Sequence, residues 1–252
     1  SRRTRGVNGL IAVFRRELAA YFETPLAWVF LTVFALAAPS FAWRIGKLFE
    51  TGRADLAPLF DFMPWLLLVL MPALAMRAWA EERDRGTLET LLSAPIALWS
   101  AALGKFLAAW AVAGLAIALT FPMWIAINYL GEPDNAATAT AYMGTFLLAG
   151  GYLALGQALS AATSNQVIAF VLGGAVCFLI TVAGLPFVLD ALSSRLPGAA
   201  AEALAELSAL ARFESLRRGV VSLSDLVYFF SLIGLGLGIA MALIDSRRGG
   251  GR

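Results

Sequence analysis

Uncharged runs of membrane-crossing length recur along this chain. Thr24 to Trp43 lies unbroken between Glu23 and Arg44. A helix that crosses a bilayer needs roughly 20 mostly apolar residues, within a range of about 17–25, so a first span is predicted at 24–43. Pro25 stands at its start, where a missing N–H costs little. Between Asp61 and Arg77 the run is shorter, and a second span at about 58–78 requires the helix to extend past it. Phe106 to Gly131 predicts a third at 106–130. The uncharged stretch 135–189 would make one helix about 80 Å long at 1.5 Å per residue, so it must fold back. Ser160, Thr163, Ser164, Asn165 and Gln166 mark the turn, giving spans at 141–161 and 167–189. A sixth, 226–244, stops at Asp245, Arg247 and Arg248.

Two further segments have helical periodicity without that length. In 7–23, Leu10, Phe14, Leu18, Tyr21 and Phe22 recur on one face, interrupted by Arg15, Arg16 and Glu17. A cleavable signal would carry a continuous apolar run. This segment reads instead as an amphipathic helix in the headgroup layer; a soluble helix packed on a cytoplasmic partner is the alternative. In the connection 190–225, Pro197 and Gly198 interrupt the chain, and Leu204, Leu207 and Leu210 then share a face opposite Glu202 and Glu206. That pattern predicts an external amphipathic helix dipping toward the membrane, or else an ordinary surface helix.

Composition agrees with the membrane reading. Of 252 residues, 60% are apolar and only 14% charged, against about 25% charged in soluble domains. Disorder would need the opposite balance. A net charge of +2 argues against a nucleic-acid surface, which needs clustered Lys and Arg. The chain has no His, which excludes His-activated nucleophiles and His-ligated metals within it. Its single cysteine, Cys177, permits no internal disulfide.

The basic residues are unevenly shared between the two sides. Arg2, Arg3, Arg5, Arg15, Arg16, Arg77, Arg83, Arg85, Lys105 and three arginines of the tail fall on one side, twelve in all. The other side has seven: Arg44, Lys47, Arg53, Arg195, Arg212, Arg217 and Arg218. The excess predicts that both termini are cytoplasmic.

Charge is most concentrated just after the second span. In Ala80 to Pro95, six charged residues fall within 80–89, Thr87 can cap a helix, and Glu89 suits its positive end. Leu88, Leu91 and Leu92 lie at i, i+3 and i+4, and Pro95 limits extension. A charged strap leading into a short apolar-faced helix suits a groove on another protein. The competing reading is a solvated loop with an incidental helical turn.

The run Glu82-Arg-x-Arg-Gly-Thr-Leu-Glu-x-Leu-Leu-x-x-Pro95 resembles the signature after the second span of type-2 ABC transporter permeases, where the segment is the coupling helix that rests on the ATPase subunit. A second stretch, Ala211 to Phe229, is similar to the pattern before the last span in the gliding-motility and nitrous-oxide-accessory branch. Ser224 stands where that branch often has an arginine. The resemblance implies an all-α integral membrane protein of one domain, 1–252. It would have six spans, an N-terminal interfacial helix, a cytoplasmic coupling helix and external helices that help close an outer gate. It also implies a bacterial cytoplasmic-membrane exporter that works by alternating access. Its coupling residues would be Glu82, Arg83, Arg85, Gly86, Thr87, Leu88, Glu89, Leu91, Leu92 and Pro95. The implied partners are an ABC ATPase subunit, a second copy of the permease, an extracytoplasmic accessory protein and membrane lipid.

The division of labour is consistent with the chain itself. Gly104-Lys105 is followed by Phe106, and Trp99 occupies the position of the first glycine of a phosphate loop. ATP and Mg therefore belong to the partner, and this chain is expected to hold no cofactor and to catalyse nothing itself. Asn128 and Gln157 are the polar residues to weigh for a substrate path, against the commoner use of such groups in interhelical hydrogen bonds. No charge falls centrally in a predicted span, which disfavours an ion- or proton-coupled carrier. The lack of His disfavours an intramembrane enzyme.

Overall fold

The computed structural model describes residues 2–46, 55–93, 96–185, 187, 188, 190 and 206–249. Among them all regular structure is helical. The chain begins with α1 (Arg2–Glu23), α2 (Pro25–Arg44), α3 (Ala57–Ala75), α4 (Arg77–Asp84) and α5 (Leu88–Ser93). It continues with α6 (Leu98–Ala118), α7 (Phe121–Leu130), α8 (Asn135–Ala162), α9 (Gln166–Val182), α10 (Ala209–Arg217) and α11 (Leu223–Gly249). Among the described residues, five stretches are long and apolar enough to cross a membrane: 25–44, 57–84, 98–130, 135–162 and 223–246. The sixth apolar helix, α9, has 17 residues, at the short end of the spanning range of about 17–25.

Local chemistry sets most helix ends. Pro25 occupies the first turn of α2. Asp134 accepts from the N–H groups of Ala136 and Ala137 at 3.0 Å, so α8 starts at 135, earlier than the hydropathy pattern predicts. Asn165 does the same for Val167 and Ile168 at the start of α9. That helix ends at Val182, short of the predicted 189.

The predicted third span ends where expected, at Leu130, but starts earlier and is broken within. Its helix begins at Leu98 and includes Lys105, then breaks before α7. The break precedes Pro122, which lacks an N–H to continue the ladder. Thr120 closes the break: its hydroxyl donates to Ile117 O at 2.7 Å and lies 3.0 Å from the Tyr142 hydroxyl.

Helix α8 is the centre of the bundle, with α3, α6, α9, α10 and α11 packed around it. Small residues make this possible. A Cβ on Gly156 would fall 2.7 Å from Ala75 Cβ, and one on Gly236 would meet the Ala154 backbone at 2.6 Å. Close backbone approach of this kind is how helices associate where lipid offers no hydrophobic drive.

Packing adds to the reading of the two amphipathic segments. Much of the apolar face of α1 packs on protein: Val13 and Tyr21 are buried, and α1 lies along α6 close enough that a Cβ on Gly104 would sit 2.9 Å from Val13. On the connection before α11, Pro197, Gly198, Glu202 and Leu204 lie outside the described residues. Leu207 is exposed, and α10 buries Ala209, Phe213 and Leu216. Phe213 and Leu216 pack on α8 at Gly144.

Candidate functional site

The strap is rooted in the central helix. At Met76, between α3 and α4, the first N–H groups of α4 would lack partners unless the ladder ran on unbroken. Ser160 of α8 supplies one oxygen for two of them. Its Oγ accepts from Trp79 N and Ala80 N, each at 3.0 Å, and donates to Met76 O at 2.7 Å. A side chain inserted into a helical ladder is a recognised cause of a kink, and the helix breaks here. One turn further, the Arg83 guanidinium donates to Ala161 O at 2.7 Å, so α4 is pinned to two successive residues at the end of α8. Trp79 is fully buried among Ala101, Ala102, Ala158 and Ala161.

A buried lysine ties three helices together. Lys105 Nζ, its side chain only 3% exposed, lies 2.8 Å from Glu82 Oε1 of α4 and 3.0 Å from Glu17 Oε1 of α1. The same ammonium sits 5.4 Å from the centre of the Trp79 ring, within cation–π range. Arg16 completes the group, 2.7 Å from Glu17 and 3.4 Å from Glu82. Burial alone would push the Glu17 carboxyl up, but Lys105 and Arg16 outweigh it and hold the group below the usual Glu value. Glu82 gives only one oxygen to these cations; its Oε2 is buried with no hydrogen-bond partner among the described residues.

A second set of contacts braces α4 against the α1–α2 joint. Arg77 donates to Glu81 at 2.8 Å and to Thr24 Oγ1 at 3.1 Å, and stacks over Tyr21, whose hydroxyl donates to Leu74 O at 3.0 Å. Burial pushes the Tyr21 phenol up, out of reach of physiological titration. Between the two sets a cleft of about 270 Å³ opens, lined by Arg16, Glu17, Arg77, Glu81, Glu82 and Arg85.

Beyond this braced base the strap turns at Gly86. Gly86 takes φ +67°, the left-handed turn that carries the chain from α4 into α5, and nothing surrounds its Cβ position. Thr87 precedes α5, with its hydroxyl donating back to Glu82 O at 3.3 Å. Arg85, Thr87 and Glu89 are exposed, whereas Leu88 is half-buried against the Trp79 cluster. Arg85 reaches back to Glu81 at 2.7 Å. Leu91 and Leu92 are on the helical backbone of α5, and Pro95 lies outside the described residues.

The two residues weighed for a substrate path are not brought together. Gln157 is buried, with Nε2 donating to Ala102 O at 3.0 Å, and ties α8 to α6. Asn128 is exposed at the opposite end of the bundle, in a reciprocal amide pair with Asn135 at 2.9 and 3.0 Å. Both make the interhelical bonds that polar groups commonly make in membranes.

From the sequence, Lys105, Glu17, Arg77 and Tyr21 were given no part in a site, and Ser160 served only to mark a turn. Lys105 had one available signal. Ala101, Ala102, Ala108 and Ala109 surround it at helical spacing and are all buried, as befits a helix interior and not a loop.

The model of a family described as ABC-2 family transporter protein matches residues 50–218. No curated protein gives a match. The matched residues take in the strap, its root on α8 and the α10 helix, and they make up well over half of the chain. With its apolar helices and its braced, charged strap, the chain thus belongs to the ABC-2 transporter family, as a membrane permease component of an ABC transporter.

Proposed function

We propose that this chain is the permease of an ATP-driven exporter, paired with a second copy and driven by two ATPase subunits that bind ATP and Mg. Residues 82–95 are the coupling element, and both termini share its cytoplasmic side of a bacterial inner membrane. The observation that carries this reading is the Ser160 junction. A helix seated in a moving partner does mechanical work only if its base is rigidly joined to what must move. Here the base of the strap is hydrogen-bonded to the end of the central helix, which packs against α3, α4, α6, α9, α10 and α11. Displacement of α5 therefore passes through α4 to α8. Glu82, Arg83 and Arg85 belong to the rigid base, and Thr87, Leu88, Glu89, Leu91 and Leu92 to the seated end.

The test is co-expression with the ATPase subunit. Leu91→Asp combined with Leu92→Asp should release the ATPase, or uncouple its hydrolysis from transport, while the chain still inserts and folds. Leu207→Asp, at the other end of the bundle, should change neither. Normal ATPase association and transport in the double variant would remove the strap from the mechanism.

A further inference from the structure

The end of the bundle opposite the strap carries a second polar cleft, of about 380 Å³, lined by Glu206, Arg212, Ser215, Ser222, Ser224 and Asp225. Asp225 opens the span-length helix α11, yet its side chain is 96% buried (4% exposed). One oxygen, Oδ1, faces the Arg212 guanidinium at a long 3.3 Å. The other, Oδ2, has no partner among the described residues. A buried carboxylate oxygen without a donor carries a desolvation penalty that a bound donor would remove. Arg212 is itself loosely held, 3.4 Å from Glu206 O, 3.5 Å from Ser224 Oγ and 5.9 Å from the centre of the Tyr228 ring. Ser222 and Ser224 pair with each other at 2.8 Å, and Ser222 Oγ accepts Asp225 N at 3.1 Å.

The cleft therefore offers two carboxylates and one guanidinium, none tightly engaged. A divalent cation is a poor match: it calls for about six or more oxygen ligands, and among the described residues no group of three acidic, His or Cys side chains forms. A ligand with an ammonium and a phosphate a few atoms apart satisfies both signs of charge at once. The surroundings narrow the source. Leu207, Val220, Val221 and Leu223 are exposed apolar side chains, at the point where a membrane-length helix begins. Polar groups flanked by exposed apolar ones, at the mouth of a span, belong to the bilayer interface.

We infer that this cleft binds the headgroup of an amine-bearing phospholipid, with Arg212 on the phosphate and Asp225 Oδ2 and Glu206 on the primary ammonium. The lipid so held lies beside α10 and α11 and fills the donor-poor space next to Asp225.

The full chain in detergent, offered equal amounts of phosphatidylethanolamine and phosphatidylcholine, should retain the primary amine about tenfold or more over the trimethylated one, as read by native mass spectrometry. That is the value of one charge-assisted hydrogen bond. Asp225→Asn should bring the ratio close to one. If that variant does not fold, Glu206→Gln, at an exposed position, should lower the ratio severalfold, and the wild-type ratio itself needs no variant. Equal retention of the two lipids by the wild type, or an unchanged ratio in folded Asp225→Asn, would overturn the inference. Saturable binding of free phosphoethanolamine with no preference among lipids would assign the cleft to a soluble ligand and likewise overturn it.

Discussion

Lys105 and Glu82 meet at 2.8 Å inside the protein, the lysine from the first turns of α6 and the glutamate from the last turn of α4. Breaking a buried pair from one side leaves an uncompensated charge, which costs about 3–5 kcal/mol. Lys105→Met should therefore lower unfolding stability by roughly that amount, measured by thermal or denaturant melting in detergent. Adding Glu82→Gln should restore part of it, because the stranded carboxylate is then gone. An additive loss in the double variant would show that the two residues are not coupled.

Acid should loosen α1 through Glu17. Its carboxyl is held below the ordinary Glu value when folded, so its contribution is fully present above the unfolded value of about 4.3. That contribution fades as pH falls through the folded value. A spin-label distance between α1 and α6 should stay fixed at neutral pH and lengthen only under strongly acidic conditions. With Lys105→Met, Glu17 loses the largest influence opposing burial, and the release should move to higher pH. A release point unaffected by that substitution would contradict the assignment.

Gly86→Ala should destabilise by about 1–2 kcal/mol, from backbone conformation alone, since no atom lies within 4 Å of the added carbon. Gly86→Asn should be milder, because Asn tolerates the left-handed region. Gly219→Ala should cost more than Gly86→Ala: its φ is +84° and the new carbon would also press on Ala137 at 3.3 Å. Equal losses at the two glycines, in the same melting assay, would show that packing at Ala137 gives way freely.

Ser160→Ala removes the oxygen shared by Trp79 and Ala80. Stability should fall by about 1–3 kcal/mol, the range for leaving buried groups unpaired. The N–H groups can recover by closing onto the carbonyls one turn back, which would straighten the break at Met76. A paired-label distance from α5 to α9 should therefore change in Ser160→Ala and not in a control such as Ser231→Ala, which lies on α11 and is exposed. An unchanged distance would mean that the break is built into α3 and α4 by other contacts.

What could be read in the residues was mostly what one helix determines for itself. Pro25 and Asn165 act within a turn of their own positions, and the ends they govern are local chemistry, whereas the equally local Asp134 cap lies ahead of the apolar run and was missed. The strap was legible for the same reason: Gly86 and Thr87 work on their immediate neighbours. Lys105 was not, because its burial depends on Glu17 and Glu82, 88 and 23 residues away. Ser160 does lie beside the turn it helped to mark, but its part in the junction was not legible, because its bonds run to another helix, 80 or more residues back. The face of α1 carried the right periodicity but not its partner, since an apolar stripe covers lipid and protein equally well.

The break at Met76 also fixes a length. Helices α3 and α4 together run 28 residues, from Ala57 to Asp84, about 42 Å at 1.5 Å per residue, whereas the hydrocarbon layer is about 30 Å thick. A straight rod of that size would leave roughly 12 Å of charged helix jutting along the bilayer normal. Bent at Ser160, the overhang becomes an arm whose pivot lies nearer its tip than its far end. A force on the tip acts about Met76 through an arm of about 12 Å, less than half the length of α3 on the other side of the break.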